Sequence, residues 1–167
     1  GLHSSKYVQC AKLLSHPDKA DLICKSLAYK IKKNFKKIDV ILAPAIGGII
    51  IGYEIGKLLK KETIFSERFD GEFKLRRNFK INKNSKVLII EDVITTGKSS
   101  LECAKLIISN KAVSIGYACL IDRSNGNSQI KNKIISQVQL DIPTFTKDNL
   151  PKELMSIEPV KPGSRNI

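Results

Sequence analysis

Apolar and polar positions change their period along this chain, and the changes mark its elements. Ala20, Ile23, Cys24, Leu27, Ala28 and Ile31 recur every three or four places, the spacing of one buried helix face. Ahead of them, Ser15-His16-Pro17-Asp18 reads as a helix start. Ser15 can cap, Pro17 suits the first turn, and Asp18 lies three residues after the cap. This helix is predicted to run to about residue 34. Residues 38–42 form a short apolar run and read as a buried strand. Ala43-Pro44-Ala45-Ile46-Gly47-Gly48 then reads as a turn, 49–60 as a second helix, and 63–66 as the start of another strand. From 67 to 81 the pattern turns charged and irregular, with a turn at Asp70-Gly71; it fits either an extended β-ribbon or a mobile loop. Val87-Leu88-Ile89-Ile90 is an apolar run rich in β-branched residues, the mark of a strand buried on both faces. A helix over 100–108, a long strand over 112–121 and a weaker strand over 134–140 follow. The tail carries Pro143, Pro151, Pro159 and Pro162 and reads as irregular, apart from a helical turn over 150–155.

Strands alternating with helices predict an α/β fold with a mostly parallel, doubly wound, twisted sheet flanked by helices. No repeat or linker divides the chain, so residues 1–167 are expected to form one domain. The longest apolar run, 45–52, is short of membrane-spanning length and is broken by glycines. No signal peptide is read at the start, and residues 1–7 look like the interior of a longer chain.

The chemistry concentrates at the end of the 87–90 strand. Glu91 and Asp92 are expected just after it, followed by Val93, Ile94 and the turn Thr95-Thr96-Gly97-Lys98-Ser99. In parallel α/β sheets ligands sit beyond the carboxyl ends of the strands. A Thr- and Gly-rich turn feeding a helix offers N–H groups and hydroxyls to an anion. Two acids beside that cradle do not suit a bare phosphate. They suit a phosphate attached to a group with hydroxyls to donate, such as a ribose. An acid pair that binds Mg²⁺ in another fold, or a Thr-Thr-Gly that only caps a helix, are the simpler alternatives.

Charge adds less than its size suggests. The formal net charge is +13, which by itself points to nucleic acid. Most of the excess is lysine spread along the chain, with one cluster at Lys30, Lys32, Lys33, Lys36 and Lys37 that suits a helix C-terminus and a solvated surface. Neither nucleic acid nor membrane is therefore expected as a partner; a small polyanionic substrate is. The arginines are few: Arg68, Arg76, Arg77, Arg123 and Arg165. A lysine-biased chain that still uses arginine points to bidentate recognition of carboxylate or phosphate at those places. Cys10, Cys24, Cys103 and Cys119 have no C-x-x-C spacing and lie in apolar-periodic segments. They read as buried free thiols of a cytoplasmic protein.

The strand, acid pair and turn over 87–99 resemble the ribose-phosphate signature of the type I phosphoribosyltransferases. Four further segments resemble the orotate phosphoribosyltransferases among them. Residues 1–7, Gly-Leu-His-Ser-Ser-Lys-Tyr, are similar to their S-G-x-H-S-x-x-Y segment. Pro44-Ala45-Ile46-Gly47-Gly48 is similar to their P-A-x-G-G loop. Leu120-Ile121-Asp122-Arg123 resembles their L-[IV]-D-R strand end, and residues 160–165 match the K-P-G-S-R terminus of one bacterial branch. The resemblance implies transfer of a phosphoribosyl group from 5-phosphoribosyl 1-diphosphate to orotate in pyrimidine (UMP) biosynthesis. It implies Mg²⁺ as cofactor and a homodimer with shared active sites. Glu91 and Asp92 would hold the ribose hydroxyls, and Val93 to Ser99 the phosphoribosyl group. Ala45, Ile46, Gly47 and Gly48 would hold diphosphate, often through an unusual backbone geometry. Thr95 and Arg123 would hold orotate. Asp92, Arg68 and Lys74 are the catalytic candidates; Arg76 and Arg77 share their flexible loop, which in the family closes over the substrates. No protein metal ligand is assigned with certainty. The long Lys- and His-rich loop of the enterobacterial-type members is lacking. The rival readings are a purine or uracil phosphoribosyltransferase, and a nucleic-acid-binding regulator on the same fold.

Overall fold

The structure, a computed structural model, describes residues 3–160. Two of the resemblance segments are therefore partly outside it: residues 1–2, and residues 161–165 including Arg165. The described chain divides into two compact units. The smaller comprises residues 3–9 with 141–160. In it His3 and Phe145 exchange backbone hydrogen bonds, each 2.8 Å, and Ser4 Oγ donates to the Pro143 carbonyl at 2.9 Å. The expected helical turn in the tail is a 3-10 turn over Lys147–Asn149 followed by a short helix, Lys152–Met155.

The larger unit, 10–140, carries the sheet. Its elements are α1 (Cys10–Leu14), α2 (Pro17–Asn34), β1 (Val40–Pro44), α3 (Gly48–Leu59), β2 (Glu62–Phe69), β3 (Glu72–Leu75), β4 (Lys86–Ile94), α4 (Lys98–Ser109), β5 (Val113–Asp122) and β6 (Ile134–Gln139). The strands lie in the order β3-β2-β1-β4-β5-β6. All neighbours are parallel except β3, which is antiparallel to β2. The chain leaves β1 toward β2 through α3, and β4 toward β5 through α4. These crossovers run in opposite directions, so right-handed connections put α3 and α4 on opposite faces of the sheet.

The strand pleat agrees with that placement. Val40, Leu42, Val87, Ile89, Tyr117 and Cys119 form one core with Cys103 and Ile107 of α4. Ile41, Leu88 and Ile90, the alternate residues, are also fully buried and belong to the other face. Because β1 and β4 are neighbours from which the chain departs in opposite directions, a crevice opens where their carboxyl ends part.

Several sequence expectations need correction. α1 was not foreseen; its short stretch carries no helical stripe of its own. Ser15 is not the cap of α2. That position is His16, without a side-chain cap bond, and Ser15 Oγ instead donates to the Lys12 carbonyl at 3.0 Å. β1 begins at Val40 rather than 38 and continues through Pro44, because its ladder to β2 extends to Pro44 opposite Ser66. Of the two readings of 67–81, the β-ribbon holds for its first part. β2 runs to Phe69 and pairs back with β3 around Asp70-Gly71, both at positive φ (52° and 82°) as a tight hairpin turn requires. Lys30 is not simply solvated: its Nζ donates to the Ser136 and Gln137 carbonyls at 3.1 and 3.0 Å, tying α2 to β6.

Candidate functional site

The first finding concerns the acids. Glu91 and Asp92 do not follow the strand; they lie inside β4, which extends to Ile94. The parallel ladder to β5 runs on through Glu91 opposite Cys119, Val93 opposite Ile121 and Ile94 opposite Asp122. Backbone pairing thus overrides the weak strand preference of carboxylates. Adjacent residues of a strand point to opposite faces, and the two carboxylates diverge accordingly. Glu91 is 7 % exposed and accepts a hydrogen bond from Ser100 Oγ, in the first turn of α4, at 3.4 Å. Asp92 turns the other way, to the loop before α3, where a Cβ on Gly47 would stand 2.7 Å from Asp92 Oδ2. Only a glycine lets that loop lie so close. Asp92 Oδ1 accepts the Val93 N–H at 2.8 Å. Burial pushes the Asp92 carboxyl above its ordinary value; backbone N–H bonds from Val93 and Asp92 itself offset part of that rise.

The loop after β1 is the expected diphosphate loop. The Ala45–Ile46 peptide bond is cis. The Ala45 N–H donates to the Ser66 carbonyl at 2.8 Å, which ties the loop to β2. Gly48, at the start of α3, packs close to the Ile90 carbonyl; a Cβ there would lie 3.0 Å from it. Ile46 itself is 81 % exposed. The four residues assigned to diphosphate therefore border the crevice beside Asp92.

The signature turn closes the other side. Thr95 and Thr96 are exposed, and Gly97 is buried at φ 80° as the N-cap of α4. The Lys98 N–H reaches Thr96 Oγ1 at 3.4 Å, and no side chain caps the helix. Apart from the long Lys98 bond, the N–H groups of the first turn of α4 have no side-chain cap and can meet an anion. Arg123 follows β5 directly, and its N–H donates to the Ile94 carbonyl at 2.8 Å. That bond seats Arg123 next to Thr95. Among the described residues no carboxylate forms an ion pair with its guanidinium, and its Nε is buried without a hydrogen-bond partner. Asp122, its neighbour in sequence, forms no ion pair with it; Asp122 Oδ1 accepts the Ser124 N–H at 2.8 Å.

The hairpin cations are otherwise engaged. Arg68 donates to the Gly71 carbonyl and to Glu102 of α4, and its guanidinium stacks 4.3 Å over Phe73. Lys74 lies 4.0 Å from Asp70 Oδ2 and 5.0 Å above the Phe69 ring. Arg77 Nε donates to Glu67 at 2.8 Å, and Arg76 stands 3.9 Å from the same carboxylate. Asp92 and the loop over 45–48 therefore meet at the β1/β4 crevice, the signature turn continues β4, and the Arg123 backbone is bonded to the end of that strand, while Arg68 and Lys74 are held by partners within the hairpin and on α4. The sequence reading missed Gln129 and Ile130, which lie against the signature turn. The Gln129 N–H donates to the Thr96 carbonyl at 3.0 Å, and Ile130 packs against Gly97. No local motif marks them.

Residues 12–149 match the model of the phosphoribosyl transferase domain. The chain belongs to the phosphoribosyltransferase family. It is 44 % identical to a protein of Parvibaculum lavamentivorans named orotate phosphoribosyltransferase, over all of this chain and 87 % of that one. A Methylorubrum populi protein of the same name is 45 % identical, over all of this chain and 86 % of its own length. Among solved structures, orotate phosphoribosyltransferase from Aeropyrum pernix superposes with a TM-score of 0.69 at 18 % identity, covering 82 % of this chain and 80 % of that one. Adenine phosphoribosyltransferase from Thermoanaerobacter pseudethanolicus gives 0.70 at 17 %, covering 80 % and 88 %. At such identities the structures bear on the fold, the mostly parallel α/β sheet of type I phosphoribosyltransferases, and do not separate orotate from purine substrates.

Proposed function

We infer that this chain is an orotate phosphoribosyltransferase, a pentosyltransferase of pyrimidine (UMP) biosynthesis. It takes 5-phosphoribosyl 1-diphosphate and orotate to orotidine 5′-phosphate and diphosphate. The observation that carries the orotate specificity is Arg123: its backbone is bonded to the end of β4, and its guanidinium has a buried Nε without a hydrogen-bond partner and no carboxylate partner in the described chain. A buried, unpaired donor is costly unless a ligand satisfies it, and the orotate carboxylate offers the matching bidentate acceptor. The full-length relatives named for the same activity support this reading.

The reaction breaks the bond from C1 of the ribose to the diphosphate oxygen and forms one to N1 of orotate. Positive charge develops at C1, and no protein nucleophile is needed. The open N–H groups before α4, with the Thr95, Thr96 and Ser99 hydroxyls, bind the 5′-phosphate. Asp92 accepts from a ribose hydroxyl and Glu91 secures the first turn of α4 through Ser100, so sugar and phosphate are held on one strand end. The loop over 45–48 seats the departing diphosphate. Thr95 and Arg123 orient the base. Arg68 and Lys74 reach the leaving group only if their present partners release them, which a closing hairpin would do.

The donor set suits Mg²⁺ held largely by the substrate. No group of three or more potential ligands is assembled among the described residues, and Mg²⁺ is commonly bound by one or two carboxylates together with substrate phosphates. Asp92 is the carboxylate placed for this. When bound, the ion neutralises charge on the diphosphate.

The buried, unpaired Cys10, Cys24, Cys103 and Cys119 suit a reducing compartment, the cytoplasm. A homodimer is supported by an exposed apolar line beside the diphosphate loop, formed by Ile46, Ile50 and Tyr53.

The deciding experiment is diphosphate release with Mg²⁺, comparing orotate with adenine, hypoxanthine and uracil, for wild type and Arg123→Ala. Orotate should be strongly preferred. The variant should lose about 2–5 kcal/mol in kcat/KM for orotate, the range for breaking a buried charged contact. Equal turnover with a purine would overturn the specificity.

A further inference from the structure

We propose that Ile130 is the positioning residue of the phosphate cradle, and that the short segment 123–130 couples the base subsite to the phosphoribosyl subsite. This rests on the proposed reaction only for the identity of the ligands. The segment starts at Arg123, bonded to the Ile94 carbonyl. It then folds tightly. Asp122 Oδ1 accepts the Ser124 N–H, the Asn127 N–H donates to the Ser124 carbonyl at 2.8 Å, and Asn125 and Gly126 take positive φ of 47° and 76°. The turn brings the chain back onto the signature loop. There the Gln129 N–H holds the Thr96 carbonyl at 3.0 Å, and the Ile130 side chain lies under Gly97.

That last contact is close. A Cβ on Gly97 would stand 2.7 Å from Ile130 Cγ1 and 2.9 Å from Cδ1. Ile130 is 7 % exposed and belongs to the core shared by α4 and the sheet. Gly97 is at φ 80°, a conformation open to glycine, and it caps α4 without a side-chain bond of its own. A β-branched side chain with few rotamers is well suited to fix such a backbone. The cradle depends on N–H groups of this turn and of the first turn of α4. Their direction is therefore set by a residue that touches no substrate. Arg123 and Ile130 lie on one segment anchored at both ends to the signature strand and turn. A shift of either end moves the other.

The test uses the full chain with Ile130→Ala and Ile130→Val. Calorimetry measures binding of 5-phosphoribosyl 1-diphosphate with Mg²⁺, and steady-state kinetics measure KM for both substrates and kcat. Circular dichroism at the assay temperature shows the folded fraction. Ile130→Ala should weaken 5-phosphoribosyl 1-diphosphate binding and raise its KM by about tenfold or more, as small misplacements of a preorganised site do. KM for orotate, measured at saturating diphosphate substrate, should rise less, and kcat should fall by less than KM rises. Ile130→Val, which keeps the β-branch, should restore most of the affinity. Unchanged binding in folded Ile130→Ala, or losses in kcat and both KM values that track only the unfolded fraction, would overturn the proposal. So would a Val variant no better than Ala. Because calorimetry needs no turnover, an enzyme inactive on orotate would refute the proposed function and still report on Ile130.

Discussion

Asp92, the proposed ribose ligand, is buried at a cost to the fold. Burial raises its carboxyl above the ordinary carboxylate value, so the ionised form is less stable in the folded chain than in the unfolded one. The sign follows from linkage. A raised acid gives its full stabilising contribution below the unfolded value of 3.8, and that contribution is lost as pH rises through the folded value. Asp92→Asn keeps an oxygen for the Val93 N–H but cannot ionise. Its urea midpoint should therefore exceed that of wild type at pH 7, and the difference should shrink toward pH 4. Its kcat should fall by roughly 10²-fold, the order expected for losing a group that positions the reacting sugar. A variant that kept wild-type turnover would remove Asp92 from the ribose site. The thiols are the inert counterpart. Burial pushes Cys10 and Cys103 up to about 12 and Cys24 up to about 11, so in the native enzyme at pH 8 they should resist alkylating reagents that label them after denaturation.

Among the elements, α3 carries the diphosphate loop at its start, so its distance from β1 matters to the site. That distance is set by glycine. A Cβ on Gly52 would come within 2.7 Å of the Ala43 Cβ. Gly52→Ala should lift α3 from the strand and cost about 1–3 kcal/mol, the usual cost of overpacking, readable as a lower urea midpoint with KM for 5-phosphoribosyl 1-diphosphate raised. Normal stability and KM would show that the helix has room. The hairpin of β2 and β3 behaves differently. Its cations are held by Glu67, Asp70 and Glu102, exposed pairs worth little individually. They can be exchanged for substrate phosphates at small cost, which suits a closing element.

At the scale of the whole molecule, the +13 charge leads to an expectation about substrate capture. A strongly cationic chain attracts a polyanionic substrate over a distance near the Debye length. We expect kcat/KM for 5-phosphoribosyl 1-diphosphate to fall as NaCl is raised from 20 to about 300 mM, more steeply than kcat does. A salt-insensitive kcat/KM would mean that the charge plays no part in capture. The exposed Ile46, Ile50 and Tyr53 lead to a further expectation, a dimer in sedimentation that charged substitution at Tyr53 weakens. A fully active monomer would remove the shared-site idea.

Much of this was legible before folding was considered. The unbroken apolar run 87–90, the helical stripe over 20–31 and the punctuation by Gly and Pro fix the α/β alternation, because burial on one or two faces imposes its period on the chain. The strand, the two acids and the Thr-Thr-Gly turn in one register carry the resemblance to the family, and that register is legible in the sequence. The sequence could not say that Glu91 and Asp92 point to opposite faces of one strand. That follows from how far the β4–β5 ladder runs, which two distant segments decide together. Nor could it place Ile130 under Gly97, or bond the Arg123 N–H to the Ile94 carbonyl. Those are contacts between residues far apart along the chain, and only packing brings them into reach.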